Sequence, residues 1–254
     1  MYKAKPQKNS DDFIFGIRAV IEAIDSGKEV DKILIKKGLG GDLFKELFEK
    51  IREFQVPFQY VPMEKINRIT RKNHQGVLAF ISPVTFYELE NFLPSVFEAG
   101  KNPLILVLDQ VTDVRNFGAI VRTAECAGVD AIVIPEKGAA RINADAVKTS
   151  AGALHLLPIC RTKNLKESIV YLKESGLKIA AATEKSSFNY TQANLSGPTA
   201  IIMGSEEKGI EMQLLNLADE QVQIPILGKI ESLNVSVAAG LLIYEAVRQR
   251  LHHS

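Results

Sequence analysis

Apolar positions recur at two different periods along this chain, and the change from one to the other divides it. Ile17, Val20, Ile21 and Ile24 stand at i, i+3, i+4, i+7, the apolar face of a short helix that stops at Gly27. The run DKILIKK from Asp31 reads as a strand. Leu43, Leu47, Phe48, Ile51 and Phe54 return to helical spacing, and FQYV and then VLAFI after Gly76 read as further strands. A compact α/β unit is expected from these elements. Between Ser82 and Asn102 the chain carries Pro83, Pro94 and Gly100 around one amphipathic segment, with Pro103 just beyond, so the domain boundary is placed there. Residues 1–88 are expected to form a first domain whose connector continues to about 102, and residues 89–254 a second.

Beyond Leu104 the apolar runs become continuous: LILVL, AIVI, KIAAA, TAIIM and QVQIPI, separated by helical stretches. Strands that are apolar at every position are buried on both faces, which predicts a doubly wound α/β domain around a parallel sheet. Asn234 to Arg250, rich in Ala, Leu and Val and interrupted only by Gly240, predicts a long, largely buried helix.

Composition narrows the chemistry. The 254 residues are 46% hydrophobic and 24% charged, which excludes a disordered tail, a fibre and a disulfide scaffold. Cys126 and Cys160 are the two cysteines; they fit a reducing compartment and cannot build a thiolate metal site. No metal is expected. The first twelve residues are polar and no apolar run reaches membrane-spanning length, so a cytoplasmic protein without membrane attachment is expected. A net charge of +1 argues against coating nucleic acid by bulk electrostatics, although residues 1–88 hold 15 Lys and Arg against 12 Asp and Glu. The usual cofactor signatures are missing: no G-x-G-x-x-G follows the first strand of either half, and neither a P-loop nor a G-x-S-x-G elbow occurs. The four histidines show no ligand spacing; His74, before a glycine turn, reads as a turn residue, and His252 and His253 as a frayed end.

Three segments place polar residues and glycines beside the ends of buried strands, where open α/β sheets bind ligands. In LDQVTDVRNFGAIVRT, Asn116 reads as an N-cap, with Gly118, Ile120 and Arg122 on the first helical turns. In IIMGSEEKGI, Gly204 and Gly209 flank Glu206, Glu207 and Lys208, and such glycines permit close approach of a ligand. In IPILGKIESLNVSVAAG, Pro225 closes a strand, Gly228 permits a bend, and Ser232, Asn234 and Ser236 lead as caps into the last helix. Singly, each segment is ordinary strand-to-helix capping chemistry.

Together, N-x-G-x-I-x-R-T from Asn116, M-G-S-E-x-x-G from Met203, and I-P-x-x-G with S-L-N-V-S from Ile224 to Ser236 closely resemble the signature motifs of the SpoU (TrmH) family of SPOUT RNA methyltransferases. FGIRAVIEAI and HQGVLAF resemble the small substrate-binding domain of that family's ribosomal RNA branch, so the resemblance covers nearly the whole chain. It implies an α/β catalytic domain whose end threads a deep trefoil knot, a small ribosomal-protein-like (L30e-like) RNA-binding domain in front, and a homodimer formed through the knotted domain. It further implies S-adenosylmethionine held by Gly204, Ile224, Gly228 and Leu233, with Thr183 as a further contact, and methyl transfer to a ribose 2′-hydroxyl.

By the family pattern Arg122, Asn116, Glu206, Ser232 and Asn234 carry the reaction. A guanidinium keeps its proton near neutral pH, so Arg122 is better suited to binding the adjacent phosphate and stabilising charge on the 2′-oxygen than to general-base work. The extra front domain resembles that of enzymes acting on large-subunit ribosomal RNA, a resemblance that implies a guanosine of that RNA as the target, with Lys36, Lys37, Arg68, Arg71 and Lys72 as candidate contacts. A tRNA 2′-O-methyltransferase and a non-catalytic RNA-binding assembly factor are the alternatives.

Overall fold

A computed structural model describes residues 13–252; the polar first twelve residues, His253 and Ser254 lie outside them. The chain forms two compact units that divide between Thr85 and Phe86.

The first unit is a four-stranded mixed sheet in the order β1 (Phe13–Phe15), β4 (Val77–Ile81), β2 (Val30–Lys36), β3 (Phe58–Val61). Helices α1 (Ile17–Asp25) and α2 (Asp42–Glu53) cover one face, where Val20, Ile24, Leu47 and Ile51 meet Ile33, Ile35, Val77 and Ala79. On the other face Ile66 of α3 (Met63–Asn67) closes over Leu34, Val61 and Leu78. Alternate residues of one strand thus feed two small cores, as the pleat requires.

The second unit is a seven-stranded sheet in the order β11 (Glu220–Val222), β9 (Lys178–Ala182), β10 (Thr199–Met203), β6 (Leu104–Leu108), β7 (Ala131–Pro135), β8 (Ile159–Thr162), β5 (Phe86–Tyr87). Every pairing in it is parallel. Leu89 and Leu93 of α4 (Leu89–Glu98), Ile169 and Leu172 of α7 (Leu165–Glu174) and Leu214 of α8 (Met212–Leu215) share one core with Ile105, Val107, Ile179 and Ile202. α5 (Val114–Cys126) packs against α6 (Ala144–Thr149) and α9 (Val235–His252). Chain order runs outward from β6 to β7 and β8 and then crosses back, so β10 becomes the other neighbour of β6. The order reverses between β6 and β10, and the carboxyl ends of the strands beside such a reversal are where open α/β sheets bind ligands.

Four local expectations are corrected. The N-cap of α5 is Asp113, whose carboxylate accepts from the backbone N–H of Arg115 and Asn116. Asn116 is itself in the first turn, and Arg122 falls in the third. The strand read through QVQIPI ends at Val222, well before Pro225. α9 is not largely buried: Val237, Leu241 and Tyr244, at i, i+4 and i+7, are about 51%, 39% and 50% exposed, while Val235, Ala239, Leu242 and Ala246 are buried. Finally, α4 lies inside the stretch read as connector and belongs to the second core through Leu89 and Leu93. β1, β5 and β8 were not anticipated because each is short or half polar.

Candidate active site

The segments that follow β6 and β10 are tied to one another and to the start of α9 by carboxylates. Asp109, just past β6, is buried and accepts a 2.8 Å hydrogen bond from the backbone N–H of Glu211, fastening the loop after β10 to the end of β6. Burial pushes the Asp109 carboxyl above its ordinary pKa, opposed by that N–H. The loop 204–210 is closed on itself: Gly209 N–H donates to Ser205 O, and Lys208 N–H to Ser205 Oγ. A Cβ on Gly204 would lie 2.1 Å from the Gly209 carbonyl carbon. The glycine is therefore demanded by the loop's own backbone, a more exacting reason than the ligand approach inferred from sequence.

This closure presents Glu206 to two other segments. Its Oε1 accepts from Asn116 Nδ2 at 3.2 Å, from Asn234 Nδ2 at 2.6 Å and from Val235 N–H at 3.0 Å. Asn234 Nδ2 also lies 3.0 Å from Asn116 Oδ1. Asn234 Oδ1 accepts from the Ser236 backbone N–H and hydroxyl, so α9 is capped by Asn234 and Glu206 together rather than by three small polar residues. Residues 116, 206 and 234, widely separated in sequence, form one hydrogen-bonded cluster.

Beside the cluster lies a cavity of ≈ 380 Å³ at the carboxyl ends of β9, β10 and β11. Thr183, Gly204, Glu206, Ile224, Ser232 and Leu233, all singled out from sequence, line it. Asn116 and Asn234 reach it through Glu206. Gly228 does not line it, and a Cβ there would meet no protein atom within 4 Å. Apolar Ile224, Ile226 and Leu233 offer a surface for a heteroaromatic ring, while Glu184, Glu206, Glu207 and Glu231 outnumber Lys185 and Lys208 in the lining. An apolar wall with an excess of carboxylates fits S-adenosylmethionine, which combines a purine with a sulfonium cation.

Arg122 stands apart. On α5 it is six residues beyond Asn116, roughly 9 Å further along the helix and about 120° around it, and it is exposed. Its motif neighbours have packing reasons. Ile120 is fully buried, a Cβ on Gly118 would collide with Thr149 at 2.7 Å, and Thr123 sits against Gly240 of α9. Arg122 is the motif position that this packing leaves unexplained. Sequence reasoning missed Asp109 and Asp113. An aspartate immediately before a helical run is a legible N-cap signal, but the pairing of Asp109 with a residue 102 positions away is not.

Comparison with known proteins agrees with this arrangement. Residues 103–244 match the SpoU rRNA Methylase family, and residues 13–87 match the RNA 2′-O ribose methyltransferase substrate-binding family. A Staphylococcus haemolyticus protein named as a TrmH family tRNA/rRNA methyltransferase is 34% identical over 93% of this chain and 95% of its own length. A Bacillus subtilis protein named likewise is 31% identical over 94% of this chain and 96% of its own. Among solved structures, an AdoMet-bound rRNA methyltransferase from Sinorhizobium meliloti superposes with a TM-score of 0.60 at 25% identity, covering 93% of this chain and 87% of that one. The SpoU methyltransferase AviRb of Streptomyces viridochromogenes, at 23% identity and TM-score 0.61 over 95% of this chain and 90% of that one, shares the fold. Matched in both halves and over nearly its whole length, the chain belongs to the SpoU (TrmH) family of S-adenosylmethionine-dependent RNA ribose 2′-O-methyltransferases.

Proposed function

We propose that the RNA is large-subunit ribosomal RNA and that the methylated nucleotide is a guanosine, with the first unit selecting the target and the second carrying all of the chemistry. The hydrogen-bonded cluster of Asn116, Glu206 and Asn234 beside the cavity is the observation that carries the catalytic part. When bound, S-adenosylmethionine supplies a methyl group activated by its sulfonium. Thr183, Gly204, Ile224 and Leu233 hold it, and the carboxylates of the lining favour its positive charge. Glu206 fixes the two asparagine carboxamides, which with Ser232 orient the ribose. Arg122 binds the neighbouring phosphate and stabilises charge on the 2′-oxygen, and that phosphate or water takes the proton. Pre-organisation of this kind is worth about 7–11 kcal/mol of barrier when the reacting atoms are aligned. No metal enters the scheme, so a chelator should leave the rate unchanged.

The same reading extends to assembly and chain path. The exposed stripe of Val237, Leu241 and Tyr244 on α9 supports a homodimer through the second unit. A trefoil knot at the end of the chain is part of the same reading through the resemblance of the motifs from Met203 to Ser236, and two ties hold that end in place. Val235 N–H is bound by the loop after β10, and the Arg250 guanidinium donates to the carbonyls of Asn102, Pro103 and Gly197. The ribosomal-protein-like character of the first unit and a cytoplasmic location complete the proposal.

Labelled methyl transfer to large-subunit ribosomal RNA and to tRNA, compared at one salt concentration, tests the target. Preference for tRNA would overturn the ribosomal assignment and leave the methyltransferase in place. Light scattering of the full chain tests the dimer, and a monomer at micromolar concentration would exclude it.

A further inference from the structure

In the first unit β1, β2 and β3 end, and β4 begins, at one end of the sheet: Phe15 stands opposite Leu78, and Ile35 opposite both Val77 and Tyr60. Arg18, Lys36, Lys37, Arg68, Arg71 and Lys72 emerge from the segments at that end. Among the described residues no carboxylate pairs with any of the six. Two other lysines of the unit do have carboxylate partners: Lys45 pairs with Asp42 at 2.9 Å, and Lys50 with Asp25 at 2.9 Å and Glu53 at 3.7 Å. Unpaired like charges at one end of a small unit repel one another, a cost that a polyanionic partner converts into binding.

The loop carrying three of these cations is held from within. His74 is only 5% exposed although Arg71, Lys72, Asn73 and Gln75 around it are exposed. The Gly76 backbone N–H donates to His74 Nδ1 at 3.0 Å, which places the ring proton on Nε2, 2.9 Å from Asn67 Oδ1. One ring thereby ties the end of α3 to the start of β4, across the residues that bear Arg68, Arg71 and Lys72. Gln75, at φ 51°, accepts with its Oε1 from Ile17 N–H at 3.1 Å and ties the same loop to α1. A Cβ on Gly76, at φ 81°, would lie 3.1 Å from Lys36 Cβ, so loop and β2 are in close contact.

We infer that this end of the sheet grips the phosphate backbone of the RNA substrate, and that His74 and Gln75 are positioning residues that hold its basic loop ready before RNA arrives. The inference rests on the reading that the first unit selects RNA. A loop already ordered spares the entropy that ordering it on binding would cost.

The test uses the full chain and whichever RNA, ribosomal or transfer, accepts labelled methyl from it. Affinity is measured against salt. Replacing Arg68, Arg71 and Lys72 together by Gln should flatten the plot of log affinity against log salt by about 2, at about 0.7 per lost phosphate contact on single strands. Lys45→Gln with Lys50→Gln should leave the slope unchanged. An unchanged slope in the triple variant overturns the surface. His74→Leu should raise the KM for RNA several-fold with kcat and cofactor affinity unchanged. His74→Asn should recover part of the loss, because its carboxamide can accept the N–H two residues on. Wild-type KM in His74→Leu overturns the positioning role. If that variant loses the first unit's fold by hydrogen exchange, Gln75→Ala carries the test, expected to raise KM in the same way and overturning the role if it does not. Because the slope is read on the accepted RNA, a tRNA preference would defeat the ribosomal assignment and not this one.

Discussion

The polar cluster of the second unit and the basic end of the first are built on opposite plans. Glu206 spends its carboxylate on three donors inside the protein, and Asn116 and Asn234 are bonded to it and to each other. Among the described residues Arg68, Arg71 and Lys72 pair with no carboxylate, and the bonding in their loop falls instead to His74 and Gln75. Internal pairing fixes atoms to within a fraction of an ångström, which is what alignment of a displacement reaction demands. Unpaired charge acts over a Debye length and suits capture of a long polyanion. Arg122 belongs to the first unit's plan although it sits in the second: an exposed cation set apart from the paired cluster, suited to a phosphate that arrives with the substrate.

The strongest challenge to this contrast is Arg122→Ala. Removing a group that stabilises developing charge typically costs about 10²–10³ in kcat, and since Arg122 is exposed, melting temperature and cofactor affinity should hold. Arg122→Lys should recover little if the planar fork is used. Near-full single-turnover activity in the lysine variant would show that a point charge suffices. Next, Glu206→Ala leaves Asn116, Asn234 and Val235 N–H without their common acceptor. Misalignment should slow methyl transfer by about 10²-fold, and Glu206→Gln, which keeps an acceptor oxygen, should fall less. Equal losses in the two would show that charge, not pairing, matters at this position.

Two glycines sharpen the comparison at smaller magnitude. Gly204→Ala forces a methyl onto the backbone of Gly209 and Ile210. Such overpacking costs about 1–3 kcal/mol, visible by calorimetry as a lowered Tm together with weakened S-adenosylmethionine binding. Gly228→Ala, with open space at its Cβ, should leave Tm unchanged. The smallest effect is a control on the second unit's core. Burial, with Glu90 nearby, pushes the Cys160 thiol up to about 12, so near pH 8 iodoacetamide should label exposed Cys126 and spare Cys160, as mass spectrometry of the folded protein would report.

Much of the second unit was legible because β6, β7, β9 and β10 are apolar at nearly every position, and a strand buried on both faces has to be. The first unit was legible in its helices, where Val20, Ile24, Leu47 and Ile51 mark their faces by spacing. Polar or very short strands left no such mark: Ile159–Thr162 is half polar, and Phe86–Tyr87 has two residues. The exposed stripe on α9 was illegible for a related reason. Apolar residues all around a helix look the same whether they face a core or a surface awaiting a partner.

Residue types and local spacing determined which side chains could do chemistry: Asn116, Arg122, Glu206 and Asn234 stood out as polar residues at the ends of apolar runs. Only the tertiary structure decided which of them meet. The reversal of strand order between β6 and β10 brings residues 116, 206 and 234 within hydrogen-bonding distance, while the pitch of α5 turns Arg122 away from them. Periodicity reports on neighbours within a few residues, because it is set by the local geometry of helix and strand. Contacts across 28 to 118 positions depend on how the sheet is wound, and no local pattern encodes that.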